Sequence, residues 1–439
     1  LEYCLYYCYI EIEEVDKHVD FHRSLCDELS LLGRIRVSQE GINGVLSGRV
    51  KACQSYEEKV NEELLRLVPD KMTWELDLKY CLLRADLPAN AQLFHSLVCK
   101  AANSVVSLFD PNMSNYNNNK NASYCSRHRR RQQQRREQKL LLDQANDIPN
   151  FQEIERVLGS FPGGRHLSPQ EWNEKLCSAS DAVLLDCRNV YECNIGHFVS
   201  PDPQKAPTIL TNTRKYSDLP KVLALTKDQW VHKKQIFMYC TGGVRCEQAS
   251  KFVQALVAKE KVEHHQEDDV QVYQLHGGIQ RYLEQFHNAP RCTIQEGERL
   301  ENHDDPESGE QANVTGKTNT ANVGSCLYRG LNFVFDPRRT DPMVHCDSTA
   351  TSCVGKCCLC RAPHDDYDDG HSPVENQEAR CWKCRILLLV CHSCRQKVQC
   401  WGEDHKDGLP KLFCGIDTCS DYQATGHNPA TIVSAPLPD

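Results

Sequence analysis

The sequence predicts an α/β protein of several domains that ends in a cysteine-rich module. Three observations carry that reading. The 439 residues suffice for roughly three domains at about 150 residues each. Short β-branched and aromatic runs alternate with helical spacing on both sides of a low-complexity break. Cysteine is spread unevenly, with 13 in the first 325 residues and 13 in the last 114.

Residues 1–110 read as a ferredoxin-like (acylphosphatase-like) α/β sandwich made of two strand-helix-strand passes. Tyr3 to Ile12 is aromatic and β-branched, as a strand requires. Val15, Val19, Cys26, Leu29 and Leu32 fall on one helical face, and Gly33 is expected to stop that helix because it accepts left-handed geometry. Ile35 and Val37 resume an extended pattern, and the turn-rich Glu40-Gly41-Ile42-Asn43-Gly44 leads into Val45 and Leu46. Val60, Leu64, Leu67 and Val68 give a second helix, followed by a strand over Trp74 to Leu78.

Residues 111–150 break the pattern. Asn112 to Asn121 is mostly Asn, Ser and Tyr, and Arg127 to Lys139 holds six Arg and one Lys among glutamines. Neither stretch buries enough apolar surface to fold alone. The basic run is suited to RNA phosphates, although solvated inserts of this kind are common. A second such stretch, 291–325, carries seven acidic residues between Glu296 and Glu310 and reads as a linker.

Charge and hydropathy limit the options further. The net charge is -9, so contact with nucleic acid must use a local basic surface rather than the field of the whole molecule. The longest apolar run, Ile386 to Cys391, is far too short to span a bilayer. No membrane partner is expected. The chain begins with Leu rather than Met, so the true start is expected to be missing or removed, with any upstream targeting peptide out of view. An intracellular location fits, in the cytoplasm or an organelle, and the compartment stays open.

Residues 151–290 predict a parallel-sheet α/β domain with a lead-in. Ser168-Pro169-Gln170-Glu171 supplies a capping serine, a proline at the first helical position and a glutamate at the third. A helix opens there. Ala182 to Cys187, Gln235 to Cys240 and Val272 to Leu275 are short strands, each followed by polar residues and then helical spacing. Sheets of this kind bind ligands at the carboxyl ends of their strands.

One such end carries the chemistry. Cys240 is followed by Thr241, Gly242, Gly243, Val244, Arg245 and Cys246, and then by the amphipathic spacing of Ala249, Phe252, Val253, Leu256 and Val257. Strand, glycine-rich loop and helix N-terminus together make an anion cradle of backbone N–H groups, in which the Cys240 thiolate is stabilised and nucleophilic. Arg245 adds a fixed positive charge expected to orient an anionic or sulfane-bearing substrate. A tyrosine phosphatase loop would place the arginine six positions after the cysteine. Here it stands at five, which favours sulfur held on cysteine over phosphate. Cys246 is either a resolving thiol or an inert buried one. Asp186, Arg188, Glu192 and His197 are expected to brace the loops. His197 reads better as a hydrogen-bonded structural histidine than as a general base.

Residues 326–425 form the cysteine-rich module, with 426–439 as a tail. Cys357/Cys360, Cys381/Cys384 and Cys391/Cys394 are Cys-x-x-Cys pairs, and Cys414 and Cys419 complete the eight thiols that two four-thiolate zinc sites need. Filled by protein on all sides, such sites are structural. Cys358 and Cys400 are further thiols, and the pairing is left open.

With these motifs in hand, Leu184 to Asn189 followed by Glu192 and Ile195-Gly196-His197-Phe198, together with Cys240 to Glu247, resembles a rhodanese domain. Adding Glu40 to Gly44 and Gly330-Leu331-Asn332-Phe333-Val334-Phe335-Asp336 in this order, the chain resembles the rhodanese-related tRNA uridine hydroxylase family. The resemblance covers most of the chain outside the two linkers. It implies a rhodanese-like fold for 151–290, a cysteine-rich C-terminus, tRNA as partner, and oxygen-dependent 5-hydroxylation of the wobble uridine with Cys240 implicated. Molecular oxygen would be the co-substrate, and no organic cofactor motif is present. The segment Leu93 to Leu108, strongly basic in that family, holds only Lys100 as a full positive charge. A thiosulfate-type sulfurtransferase working through a Cys240 persulfide, or a non-catalytic rhodanese and zinc scaffold, are the competing readings.

Overall fold

Strand alternation and helical spacing resolve into two mixed layers of sheet and helix. A computed structural model describes residues 1–67, 76–83, 92–109, 157–264, 269–286, 325–341, 353–367, 379–382 and 384–397, with 88, 154 and 412. The insert 111–150, nearly all of the linker 291–325, and Cys400, Cys414 and Cys419 lie outside the described residues.

The first sheet contains β1 (Glu2–Tyr9), β2 (Leu32–Ser38), β3 (Gly41–Gly48), β4 (Lys79–Leu82) and β5 (Leu97–Ala101) in the order β4-β1-β3-β2-β5. The first four pair antiparallel and β5 joins parallel to β2. Helices α1 (Val15–Leu29) and α2 (Val50–Leu67) lay Val19, Leu25, Cys26, Cys53, Tyr56, Val60 and Leu64 against its inner face. Three sequence expectations move. The first helix ends at Ser30, itself left-handed at φ 54°, because Leu31 and Leu32 already turn into β2. Gly33 lies inside β2, where a Cβ would meet the Val45 carbonyl at 2.2 Å. The fourth strand starts at Lys79, after Leu76 and Leu78 pack into the core and Asp77 is drawn outward to Arg281. The expected turn at Glu40 to Gly44 is confined to its start, since β3 begins at Gly41.

The second sheet is wholly parallel, β6 (Arg165–Leu167), β7 (Ala182–Asp186), β9 (Thr208–Leu210), β10 (Gln235–Tyr239) and β11 (Gln271–Leu275), in the order β6-β11-β10-β7-β9. Its central strands are buried on both faces, which is why they read as unbroken apolar runs. Ser168 caps α3 (Pro169–Ser178), accepting from the Glu171 N–H while the Glu171 carboxylate accepts from the Ser168 N–H. α3 seats Trp172 against Phe198, Phe237 and Tyr239. α4 (Val190–Cys193) follows β7, α5 (Leu219–Leu225) lies between β9 and β10, α6 (Val244–His264) follows β10, and α7 (Gly278–Phe286) follows β11. A small antiparallel pair, β8 (Gly196–Phe198) with β12 (Tyr328–Gly330), ties the segment after the linker back to this layer.

Charged side chains tie the two layers together. Arg281 donates to Asp77 at 3.1 Å and to the Leu78 carbonyl at 2.7 Å. Arg338 forks onto Asp336 at 2.9 and 2.7 Å, reaches the Leu82 carbonyl at 2.7 Å, and lies over the Tyr3 ring at 4.1 Å. Asp186 and Arg188 make the same fork at 2.9 and 2.7 Å, with Arg188 also donating to the Gly196 carbonyl. Two Asp-x-Arg turns therefore serve as repeated braces. Among the described residues no helix is long and apolar enough to cross a membrane.

Candidate active site and candidate metal centre

β10 delivers Cys240 to the carboxyl edge of the parallel sheet, and α6 opens at Val244, so the loop between them is only four residues long. Its carbonyls are turned outward. Ile279 N–H donates to the Cys240 carbonyl and Gln280 N–H to the Thr241 carbonyl, both at 3.0 Å, from the first turn of α7. With the carbonyls held there, the amides face the sulfur, and Gly243 N–H donates to Cys240 Sγ at 3.1 Å. Gly278 makes this docking possible: it has φ +67°, and a Cβ there would meet the Cys240 carbonyl at 2.6 Å.

The electrostatics follow from that geometry. Burial by itself would push the Cys240 thiol up. The hydrogen bond from Cys246, the positive charge of Arg245 and the N–H groups of Cys246 and Arg245 outweigh it and bring the thiol down to about 6. Cys246 goes the other way, raised by its own burial and by its hydrogen bonds to Cys187 and Cys240. The sulfurs of Cys187, Cys240 and Cys246 form one buried group, in which the Cys240 thiol is drawn down and the Cys246 thiol pushed up.

Arg245 does not project toward a substrate. Its guanidinium is buried and donates to both oxygens of Glu192, at 2.6 and 2.7 Å, and to Thr241 Oγ1 at 3.0 Å. The expectation that it orients an anionic substrate is corrected accordingly: three of its five N–H donors go to Glu192 and Thr241, and its charge acts on Cys240. Glu192 is more than a brace, being the counter-ion of the loop arginine and an acceptor for Thr241 at 2.9 Å. Asp186 and Arg188 pair with each other, as described above. His197 Nδ1 donates to the Cys193 carbonyl at 3.2 Å, burial holds its imidazole below the usual value, and it stands opposite Arg329 in the β8–β12 pair. Thr241 and Cys246 are buried, Gly242 and Val244 lie on the loop surface of the same cradle.

Sequence reasoning missed the roof of this site. Cys240 is 0% exposed, because β1 of the first sheet crosses the loop. Tyr7 Oη would stand 2.7 Å from a Cβ at Gly243 and donates to Glu247 at 3.3 Å, while Tyr9 donates to the Val244 carbonyl at 3.4 Å. Lys79 lies over the Tyr7 ring at 5.3 Å, and Tyr216 donates to the Arg245 carbonyl at 2.6 Å. Burial works against the Glu247 carboxylate, but hydrogen bonds from His166, Gln274 and Tyr7 hold it below the usual range. The alternation of tyrosines in Tyr7-Cys8-Tyr9 was the only local signal.

In the C-terminal module, Cys357, Cys360, Cys391 and Cys394 bring their sulfurs within 4.8 Å of one another. Cys360 and Cys391 stand 3.6 Å apart, near the roughly 3.8 Å edge that Zn–S bonds of about 2.3 Å give in a tetrahedron. Backbone N–H groups of Cys360, Cys391 and Leu359 overcome burial and draw Cys357 down to about 7. The donor set and its spacing suit a metal ion. Cys381 and Cys384 form a separate knuckle outside this cluster, and their expected partners Cys414 and Cys419 lie outside the described residues. The two knuckles repeat one hairpin: Arg361 N–H donates to the Cys357 carbonyl at 3.0 Å and Arg385 N–H to the Cys381 carbonyl at 2.9 Å.

A parallel sheet whose central strand ends in a short amide-lined loop around an acidic thiol defines the class as a rhodanese-type α/β protein. Residues 1–103 match the family described as "UPF0176 acylphosphatase like domain". The chain is 29% identical over 402 residues to rhodanese-like domain-containing protein 6 of Arabidopsis thaliana, covering 90% of this chain and 50% of that one. It is 29% identical over 278 residues to a tRNA uridine(34) hydroxylase of Aster yellows witches'-broom phytoplasma, covering 63% of this chain and 66% of that one. A crystal structure of a rhodanese-like domain protein from Staphylococcus aureus aligns at 16% identity and TM-score 0.19, over 27% of this chain and 90% of that one. The chain is thus similar over most of its length to a plant rhodanese-like domain-containing protein and to proteins named tRNA uridine(34) hydroxylase. It spans 50% of the length of the plant relative and 66% of that of the phytoplasma one.

Proposed function

We propose that this protein modifies tRNA by hydroxylating the wobble uridine at C5, with molecular oxygen as co-substrate and Cys240 as the nucleophile. The observation that supports this most is the thiol held at about 6 inside an amide-lined loop, in a chain similar to proteins named tRNA uridine(34) hydroxylase. A thiolate adding to C6 of uracil forms an S–C6 bond and shifts the C5=C6 electron pair toward C5 and O4. C5 then becomes the electron-rich atom that takes one atom of molecular oxygen, the other leaving as water with two electrons and two protons from a separate reductant, and loss of the C5 proton then breaks the S–C6 bond and returns the Cys240 thiolate. The loop amides and Arg245 keep the sulfur ionised for that addition. Because Tyr7 roofs the loop, uridine reaches Cys240 when β1 and the loop part.

The remaining assignments belong to the same proposal. The N-terminal unit is ferredoxin-like, supported by the antiparallel order β4-β1-β3-β2 around two helices. The four-sulfur cluster holds structural zinc, supported by its thiolate donor set. The test is nucleoside mass spectrometry of tRNA from cells lacking the protein, complemented with wild type or with Cys240→Ser. Wild type restores 5-hydroxyuridine and the variant does not. Unchanged 5-hydroxyuridine in the deletion overturns the reading.

A further inference from the structure

A cavity of about 480 Å³ opens between Tyr191, Phe335 and the Cys384 to Leu387 segment. Five cations line it: Arg214, Lys215, Arg339, Arg380 and Arg385. No carboxylate is among its lining residues in the described part of the chain, although the chain as a whole carries a net charge of -9. Such a concentration of one sign in a concave site draws polyanions. Aromatic rings accompany the cations. Phe335 is 44% exposed, large for a phenylalanine, and it forms edge contacts with Tyr191 at 6.4 Å and Phe333 at 5.4 Å.

Cations with an exposed aromatic platform are the combination that holds single-stranded nucleic acid, phosphates on the charges and a base on the ring. The cavity also abuts the reactive loop. Arg245 lies 5.4 Å from the Phe335 ring centroid, and Tyr191 precedes Glu192, the partner of Arg245. Its opposite wall is the Cys381/Cys384 knuckle, whose hairpin holds Arg385 in left-handed geometry at φ 65°. Arg339 is also left-handed, at φ 62°.

We infer that this cavity binds a nucleotide of single-stranded RNA flanking the modified uridine, its base on Phe335 and its phosphates on the surrounding arginines and lysine. This deepens the proposed tRNA modification and rests on it for the identity of the RNA. It also gives the C-terminal module a task, since the module supplies Arg380 and Arg385 to the wall.

Fluorescence anisotropy with a dye-labelled anticodon stem-loop RNA and the full chain tests the inference. Phe335→Ala should weaken binding roughly 5- to 150-fold, the effect of losing one base stack, while Phe335→Trp retains it. Arg214→Ala with Lys215→Ala should lower the slope of log affinity against log salt by about 1.4, two single-strand phosphate contacts. Urea midpoints equal to wild type show that the variants are folded. Wild-type affinity in Phe335→Ala, or displacement of the RNA by polyglutamate as readily as by unlabelled RNA, overturns the site. The hydroxylase reading is judged apart, by 5-hydroxyuridine in complemented cells. Weakened binding in Phe335→Ala with no 5-hydroxyuridine from wild type sinks the activity and keeps the site. Restored 5-hydroxyuridine with unaltered binding does the reverse.

Discussion

Arg245 donates to both carboxylate oxygens of Glu192 with neither side chain open to solvent. The pair fixes the loop and sets its charge balance: the guanidinium favours the Cys240 thiolate, and the carboxylate partly offsets it. Arg245→Gln should therefore raise the Cys240 pKa, and Glu192→Gln should lower it further. Thiolate ultraviolet absorbance against pH, taken as the difference from Cys240→Ser, reads both. Glu192→Ala leaves a buried guanidinium uncompensated and should cost about 3–5 kcal/mol in urea unfolding.

The wild-type thiol should titrate at about 6 rather than at its ordinary 9.0. The linkage sign follows. A pKa lowered on folding contributes stability that is fully present above about pH 9 and is lost as the pH falls through about 6. Cys240→Ser should flatten that part of the stability profile. Cys246→Ala removes a hydrogen-bond donor to the thiolate, so the titration midpoint should move up. A midpoint at the ordinary value in wild type would contradict the cradle.

Gly278 and Gly242 make a matched pair of tests for the loop geometry. A Cβ at Gly278 would meet the Cys240 carbonyl at 2.6 Å and the Gly243 nitrogen and Thr241 carbonyl at 2.7 Å, on backbone with positive φ. Gly278→Ala should cost on the order of 1–3 kcal/mol and raise the Cys240 pKa, because the outward carbonyl bonds are broken. At Gly242 a Cβ meets nothing within 4 Å. Gly242→Ala should stay within about 0.5 kcal/mol of wild type.

What the sequence disclosed and what it hid divide by range. The Ser168 capping box, the strand over Gln235 to Tyr239 and the glycine-bearing loop after it are local, and each is written in consecutive residues. The bond from Arg281 to Asp77 joins residues 204 apart, and Tyr7 reaches Glu247 across 240 positions. No periodicity signals either one. An intermediate case was visible: Asp336-Pro337-Arg338 echoes Asp186-Cys187-Arg188, and the same fork forms at both. Arg245 misled for a related reason. Its place in the loop is legible, but the partner that occupies its donors comes from α4, at Glu192.

Spacing alone presented three equivalent Cys-x-x-Cys pairs, and only the fold selects among them. Cys357/Cys360 meets Cys391/Cys394, and Cys381/Cys384 stands apart. Metal analysis of the purified chain should separate the two. Cys360→Ser or Cys394→Ser removes one of the four sulfurs of that cluster and should lower bound zinc by about one equivalent. Cys384→Ser should leave that equivalent in place. The Cys358 N–H donates to the Leu389 carbonyl at 2.7 Å and the Cys391 N–H donates to Cys357 Sγ at 3.3 Å, so the two pairs are also joined through the strand-like run of Ile386 to Cys391. Removing the ion with a chelator should loosen that run together with the Arg385 hairpin ahead of it. Amide hydrogen exchange should then rise from Cys381 to Cys391 and remain unchanged in β10, which shares no hydrogen bond with the cluster.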